Sequence, residues 1–318
     1  MRYAPRILLV AVSILFAVAL TKSVTTMGSL GQAVGSGERS VETRARHVAV
    51  FLPEQNTLFF QHLREGAQSV ADDFDMAVSF HPIGPESAEF RYARYSGIEG
   101  AIIFPYLAEE EMLQRLEELD DAGIPVVLIE QDVADELPWT FVGTNNFELG
   151  RRVGQRLIER DEHDQIVVVY SDKSPAVAAE RELMELGITT AMGDRLRTPI
   201  ARRHTGLNPL DAEAVTYQLL RSPTERPISA LVFTDTDDTF AALQAIINLN
   251  LVGEVQVVGF GVTDSIIDYL DRGVLSATIA VNPQRIGIES VRVLDELIRT
   301  GNAPGYVDTG VEILRGSR

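Results

Sequence analysis

The 318-residue chain contains no cysteine. Disulfides, thiolate nucleophiles, cysteine-ligated zinc and a lipidated N-terminal cysteine are therefore all excluded. Lysine is almost as scarce: of 28 basic residues only Lys22 and Lys173 are lysines, and arginine supplies the rest. Positive charge as a whole is in deficit, since 46 acidic residues bring the net charge to -18. A surface of that sign repels phosphate backbones, which argues against nucleic acid as a partner. The scarcity of lysine fits either a saline habitat or an arginine-favouring codon bias.

Catalytic signatures are missing too. The five histidines, His47, His62, His81, His163 and His204, show neither H-x-x-x-H nor H-E-x-x-H spacing, so no metal site is expected. There is no G-x-S-x-G elbow and no G-x-x-x-x-G-K-[ST] loop, and no catalytic residue or cofactor is assigned. The stretch VQVVGFGVTDSIIDYL (255–270) opens like a dinucleotide turn, but Asp264 stands where the third glycine belongs. A carboxylate there would oppose a pyrophosphate, so Thr263 or Asp264 is read as a helix cap instead.

What the chain does have is periodicity. Arg2 and Arg6 precede the uncharged run ILLVAVSILFAVAL (7–20), long for a signal-peptide core and short for a spanning helix of about 20 residues. Residues 1–27 are expected to be either a cleaved signal peptide or a membrane anchor. Residues 28–46, rich in Gly, Ser and charge, read as a flexible linker.

From residue 47 apolar strands alternate with helices of 10 to 15 residues, in two successive series. Strands are predicted at 48–53, 76–83, 100–105, 125–131, 139–144, 165–171, 228–235, 255–261 and 276–281, with a weaker one near 195–203. Helices are predicted at 57–74, 109–123, 145–160, 175–187, 211–221, 237–250, 264–272 and from Pro283 to about Thr300. Such a pattern predicts α/β architecture with two doubly wound parallel sheets covered on both faces. In such sheets ligands sit beyond the C-terminal ends of the strands. The run EEE (109–111) fits a helix N-terminus, and the acids of FTDTDD, among them Asp235 and Asp237, fit capping plus one ligand contact. Trp139, the only tryptophan, is read as a packing residue.

FVGTNNFELGRRVGQRL, with LFFQHLREGAQ, GIPVVLIEQDV, AVAAERELMELG, SALVFTDTDDTFAALQAI and VVGFGVTDSIIDYLDRGVLSATIAVNPQRIGIESV in order, resembles periplasmic sugar-binding proteins of the ribose/galactose type. These share their ligand-binding fold with LacI-type repressors. The resemblance covers roughly residues 47–314. It implies two Rossmann-like lobes, 47–143 plus 283–301 and 144–282 plus 302–318. Three crossovers would join them, near 143–146, near 281–283 and after about Thr300, with Gly143, Thr144, Asn145 and Pro283 as hinge residues.

The ligand-binding residues it implies are Phe59 and Phe60 as the aromatic platform, Tyr106, Glu130, Gln131, Arg181 as a hydroxyl clamp, Asp235, Asp237 and Asn282. Two anchors depart from the family pattern: Gly261 stands where an aspartate follows the strand, and Val281 where a glutamine precedes the crossover. Each lost hydrogen bond removes discrimination worth ~10⁴ against a ligand lacking the group.

The expected activity is non-enzymatic capture of a small, carbohydrate-like solute outside the cytoplasm, in the periplasm or at the outer face of the membrane. A membrane partner, an ABC importer, would receive it. The alternative is a membrane-tethered sensory or adaptor ectodomain that regulates a histidine kinase or receptor and carries a degenerate sugar site. Contact with the membrane is expected only through the N-terminal segment.

Overall fold

In a computed structural model, residues 45–316 are described apart from 56, 85–87, 134–138, 160–164, 175–176, 178–179, 209 and 222–226. The apolar N-terminal run and almost all of the linker lie outside the described residues. Among the described residues no helix is long and apolar enough to cross a membrane.

The first half builds one sheet. β1 (Arg46–Pro53) leads to α1 (Leu58–Ser69), then β2 (Met76–Ile83), the short α2 (Ala88–Ala93), β3 (Gly100–Ile103), α3 (Glu109–Asp121), β4 (Val126–Ile129) and β5 (Thr140–Gly143). The chain then passes to a second set: α4 (Asn146–Leu157), β6 (Gln165–Ser171), α5 (Arg181–Met192), β7 (Ala201–Thr205), α6 (Asp211–Arg221), β8 (Ile228–Phe233), α7 (Thr236–Asn248), β9 (Gln256–Phe260), α8 (Asp264–Asp271) and β10 (Ala277–Val281). It returns through α9 (Pro283–Thr300) to β11 (Tyr306–Asp308) and ends in β12 (Val311–Leu314).

The strand orders are β11-β5-β4-β3-β1-β2 and β12-β10-β9-β8-β6-β7, six strands each. All pairings are parallel except β10 with β12. β3 and β4 are buried along their whole length, which is why they read as unbroken apolar runs rather than alternations.

Each sheet is backed by a pair of helices that meet through glycine. α1 buries Phe60, Leu63, Gly66 and Ala67, a helical stripe, against α9. A Cβ on Gly66 would lie 2.1 Å from the Gln284 carbonyl oxygen, and one on Gly287 2.2 Å from that of Leu63. The second lobe repeats the device with α4 on α5: a Cβ on Gly150 would lie 1.9 Å from the Met184 carbonyl oxygen, and one on Gly187 2.1 Å from that of Phe147. These backbones approach too closely for any side chain at the crossing.

Three boundaries differ from the sequence reading. The helix expected at 175–187 is α5, whose helical core starts at Arg181. The weak strand near 195–203 is β7, displaced toward Thr205. The third crossover, expected after about Thr300 with 302–318 in the second lobe, comes later: β11 pairs with β5, placing 306–308 in the first sheet, and the chain crosses between Asp308 and Val311. The strand YVD is three residues long with exposed ends, so it carries no apolar alternation to reveal it.

Candidate functional site

The cleft is formed where strand ends of both sheets meet near the three crossovers. From the first lobe come Phe59, Phe60, Phe104 and Glu130; from the second come Lys173, Ser174, Val177, Phe260 and Val281. Together they enclose a cavity of only about 20 Å³, room for roughly one water molecule. Larger grooves, about 470 Å³ beside Arg156 and Arg315 and about 730 Å³ around Trp139, lie toward the opposite, N-terminal strand ends, while one of about 550 Å³ lies at the crossovers beside Asn282 and Gly310. Strand-end logic sets the first two aside, and the small cavity is the one lined by Phe59, Phe60 and Glu130.

The aromatic wall is set by the start of α1. Thr57 occupies the N-cap, its hydroxyl accepting from the Phe60 amide, and this fixes both phenylalanines on the first turn. Phe60 is buried and meets Phe59 and Phe104 edge-on, with ring centroids 5.2 and 5.3 Å apart. Tyr106 is 43% exposed and accepts a hydrogen bond from Gln55 Nε2 at 3.0 Å, outside the cavity lining.

Glu130 directly follows β4 with φ +63°, a strained setting for a residue with a Cβ. It is 2% exposed, and its Oε1 accepts from the amide and the hydroxyl of Thr144 at 2.8 and 3.0 Å. Burial pushes its pKa up to about 7; the Thr144 hydrogen bonds act the other way, and the charges of Glu180 and Asp308 add to the rise. A Cβ on Gly143 would lie 2.9 Å from the Glu130 backbone, so β4 and the first crossover touch through main chain. Thr144 then carries the crossover, and Asn145 caps α4 by accepting from the Glu148 amide at 2.9 Å.

The second lobe presents a buried ion pair. Lys173 Nζ lies 2.6 Å from Asp238 Oδ1 and 4.0 Å from Asp235 Oδ1. Asp238 is fully buried and also accepts from the Thr205 hydroxyl. Asp235 caps α7, accepting from the amides of Asp237 and Asp238 at 3.0 and 3.1 Å, and burial raises its pKa. Asp237 is exposed. Thr263 holds the N-cap position of α8 without a side-chain capping bond, so the capping expected there is absent. The Asn282 side chain caps α9, accepting from the Arg285 amide at 2.9 Å, and Pro283 opens that helix.

Several implied ligand residues are thus placed away from the cavity lining: Tyr106, Gln131, Arg181, Asp235, Asp237 and Asn282. Arg181 opens α5 and sets its Nε 3.1 Å from Glu182. Its neighbour Glu180 faces the junction instead, its Oε1 accepting from the Asp132 amide of the first lobe at 3.2 Å and its Oε2 from Asn146 Nδ2 at 2.9 Å. At Gly261 φ is +91°, and a Cβ would lie 2.1 Å from the Thr236 hydroxyl oxygen and 3.0 Å from Thr236 Cβ. No aspartate fits there in this backbone. Lys173, Glu180, Phe104 and Phe260 were missed in the sequence, and Asp238, read with Asp235 and Asp237 as capping plus one ligand contact, instead holds Lys173. The one signal for Lys173 was a lone lysine directly after an apolar strand.

A family model for the periplasmic binding protein domain matches residues 48–303. The chain belongs to this family. A ribose import binding protein of Haemophilus influenzae is 23% identical over 296 residues, 92% of this chain and 98% of that protein. Among solved structures, a Caulobacter myo-inositol binding protein bound to myo-inositol shares the fold with a TM-score of 0.73, at 19% identity over 86% of this chain and 94% of that one. A XylFII–LytSN complex is similar at a TM-score of 0.68 and 20% identity, covering 85% and 97%. As a member, the protein is an extracytoplasmic solute-binding protein and not an enzyme.

Proposed function

We propose that the protein captures a sugar or related small solute between its lobes and, once closed, presents it to an ABC importer. The observation that carries this reading is the convergence of Phe59, Phe60 and Phe104 with Lys173, Ser174 and Phe260 at the crossovers. Aromatic faces pack on the C–H surface of a sugar ring, while an ammonium and a hydroxyl serve its oxygens. The name of the Haemophilus relative supports a sugar, and its import role supports a permease partner. Residues 1–27 act in this reading as a signal peptide or a membrane tether. Closure transmits the signal because a ligand shifts the open–closed equilibrium only by its preference for the closed form.

The test is thermal unfolding of the full chain against ribose, glucose, galactose, myo-inositol and glycerol. A true ligand at 100 times its Kd stabilises the fold by about 2.7 kcal/mol. If neither these sugars nor their amino-substituted counterparts shift the transition, sugar capture is refuted.

A second reading, a tethered adaptor that regulates a receptor or kinase, is favoured by the 20 Å³ cavity and the filled space at Gly261. The similar XylFII–LytSN complex supports it. Co-purification with a sensor protein and indifference to every sugar would decide for it.

A further inference from the structure

The charges around the cleft do not balance. Lys173 is the only lysine in the folded part, and its ammonium is already matched within the second lobe by Asp238 at 2.6 Å, with Asp235 at 4.0 Å. Across the cavity Glu130 is 98% buried, yet among the described residues no cation lies within ion-pair distance. The charged groups acting on Glu130 and its surroundings are of its own sign: Glu180 from the second lobe, Asp308 from the end of β11, and Asp132 beyond β4 near Tyr306. Only Oε1 is engaged, by Thr144, and Oε2 receives no bond from a described residue. A buried carboxylate without a counter-ion is costly unless a cation joins it.

The other wall supplies what a cation-bearing ring would meet. Phe59, Phe60 and Phe104 line the same cavity, and aromatic faces attract ammonium as well as C–H surfaces. Gly261 offers no carboxylate for sugar hydroxyls, and Val281 no amide.

We infer that the cleft selects a cationic, amino-substituted sugar, with its ammonium against Glu130, its apolar ring face against Phe59, Phe60 and Phe104, and its hydroxyls toward Lys173 and Ser174. This rests on the sugar-capture reading and names the class of sugar. It also gives the carboxylate of Glu130 a counter-charge, which a neutral sugar would not supply. Ligand ammonium binds the ionised carboxylate, so binding below pH 7 first has to expel the Glu130 proton. With half-titration near pH 7, the ionised fraction rises from about one in eleven at pH 6 to about ten in eleven at pH 8.

The experiment is calorimetric titration of the full chain with 6-amino-6-deoxyglucose and 6-amino-6-deoxygalactose, each against its neutral parent, at pH 6 and pH 8. Their alkylammonium groups stay charged over this range. We expect the amino sugars to bind at least tenfold more tightly than their parents at pH 8. Their affinity should fall about tenfold at pH 6, while that of the parents stays level. In Glu130→Gln, which keeps an acceptor for Thr144, both the preference and the pH dependence should vanish. The pH series on the unaltered protein stands even where that variant folds poorly. Parents that bind as well as the amino sugars at pH 8 would overturn the cationic assignment and leave sugar capture intact. If neither set binds and the neutral panel above is also silent, both readings fall together.

Discussion

Replacing Gly261 by alanine isolates the feature that separates this cleft from the pattern its sequence resembles. Two costs are visible. The backbone sits at φ +91°, where a side-chain-bearing residue costs about 1–3 kcal/mol. The new Cβ would also lie 2.1, 2.9 and 3.0 Å from Thr236 Oγ1, Cγ2 and Cβ. Rotating Thr236 cannot clear all three atoms, so either the backbone or the first turn of α7 shifts, for roughly 1–3 kcal/mol more. The sum, about 4 kcal/mol at its midpoint, corresponds to a fall in Tm of ~10 °C, at about 2–4 °C per kcal/mol for chains near this size. Thr236→Ala removes Oγ1 and Cγ2. Gly261→Ala combined with Thr236→Ala should therefore recover the steric share and keep the backbone share, a coupling of about 1–3 kcal/mol in a double-mutant cycle. Urea denaturation of the four proteins at pH 7 measures it. A Gly261→Ala protein within about 0.5 kcal/mol of the parent, or a double variant no better than the sum of the singles, would refute the reasoning. Gly261→Asp carries the same costs, so restoring the carboxylate should lower stability and not create a hexose site.

Further perturbations address the rest of the site and its scaffold. Lys173→Met leaves Asp238 buried without its cation and should cost about 3–5 kcal/mol; adding Asp238→Asn should recover part of that loss, read from denaturation midpoints. Glu130, with its pKa raised from 4.5 to about 7, binds its proton more tightly folded than unfolded. Its contribution is therefore fully present below pH 4.5 and is lost as pH rises toward 7, a change of about 3 kcal/mol; the stability difference between parent and Glu130→Gln, measured from pH 4.5 to 8, should follow that slope. Gly150→Ala, whose Cβ would meet the Met184 carbonyl oxygen at 1.9 Å, should force α4 from α5 and cost about 1–3 kcal/mol or more, and a midpoint unchanged from the parent would show that the helices can separate freely.

The sheets were legible because buried parallel strands are apolar on both faces, as in GAII and VVLI, and need no neighbour to be recognised. β11 was not, because an edge strand of three residues is held by pairing with β5 and by the Phe141–Tyr306 ring stack at 5.2 Å, neither of which leaves a local pattern. The site was less legible than the fold for a related reason. Arg181 and Glu180 are adjacent in sequence, and only the start of α5 decides which faces the junction. The helix begins at Arg181, so Glu180 is its N-cap residue and reaches Asn146 and Asp132. Lys173 and Asp238 are 65 residues apart, and their pairing depends on β6 and β8 being neighbours in the second sheet.

Closure of this cleft sets two kinds of contact against each other. Apolar side chains from both lobes leave about 20 Å³ between them, and Glu180 joins the lobes through the Asp132 amide. These contacts favour closure in the absence of ligand, whereas the like charge of Glu180 on the second lobe, facing Glu130 and Asp308 on the first, opposes it. A neutral hydroxylated ligand would have to part the phenylalanines and would leave the repulsion in place. A cationic ring replaces the apolar contacts with its own face and removes the repulsion in the same step. The second kind of ligand therefore gains more affinity in the closed form, which is the preference that shifts a two-state hinge.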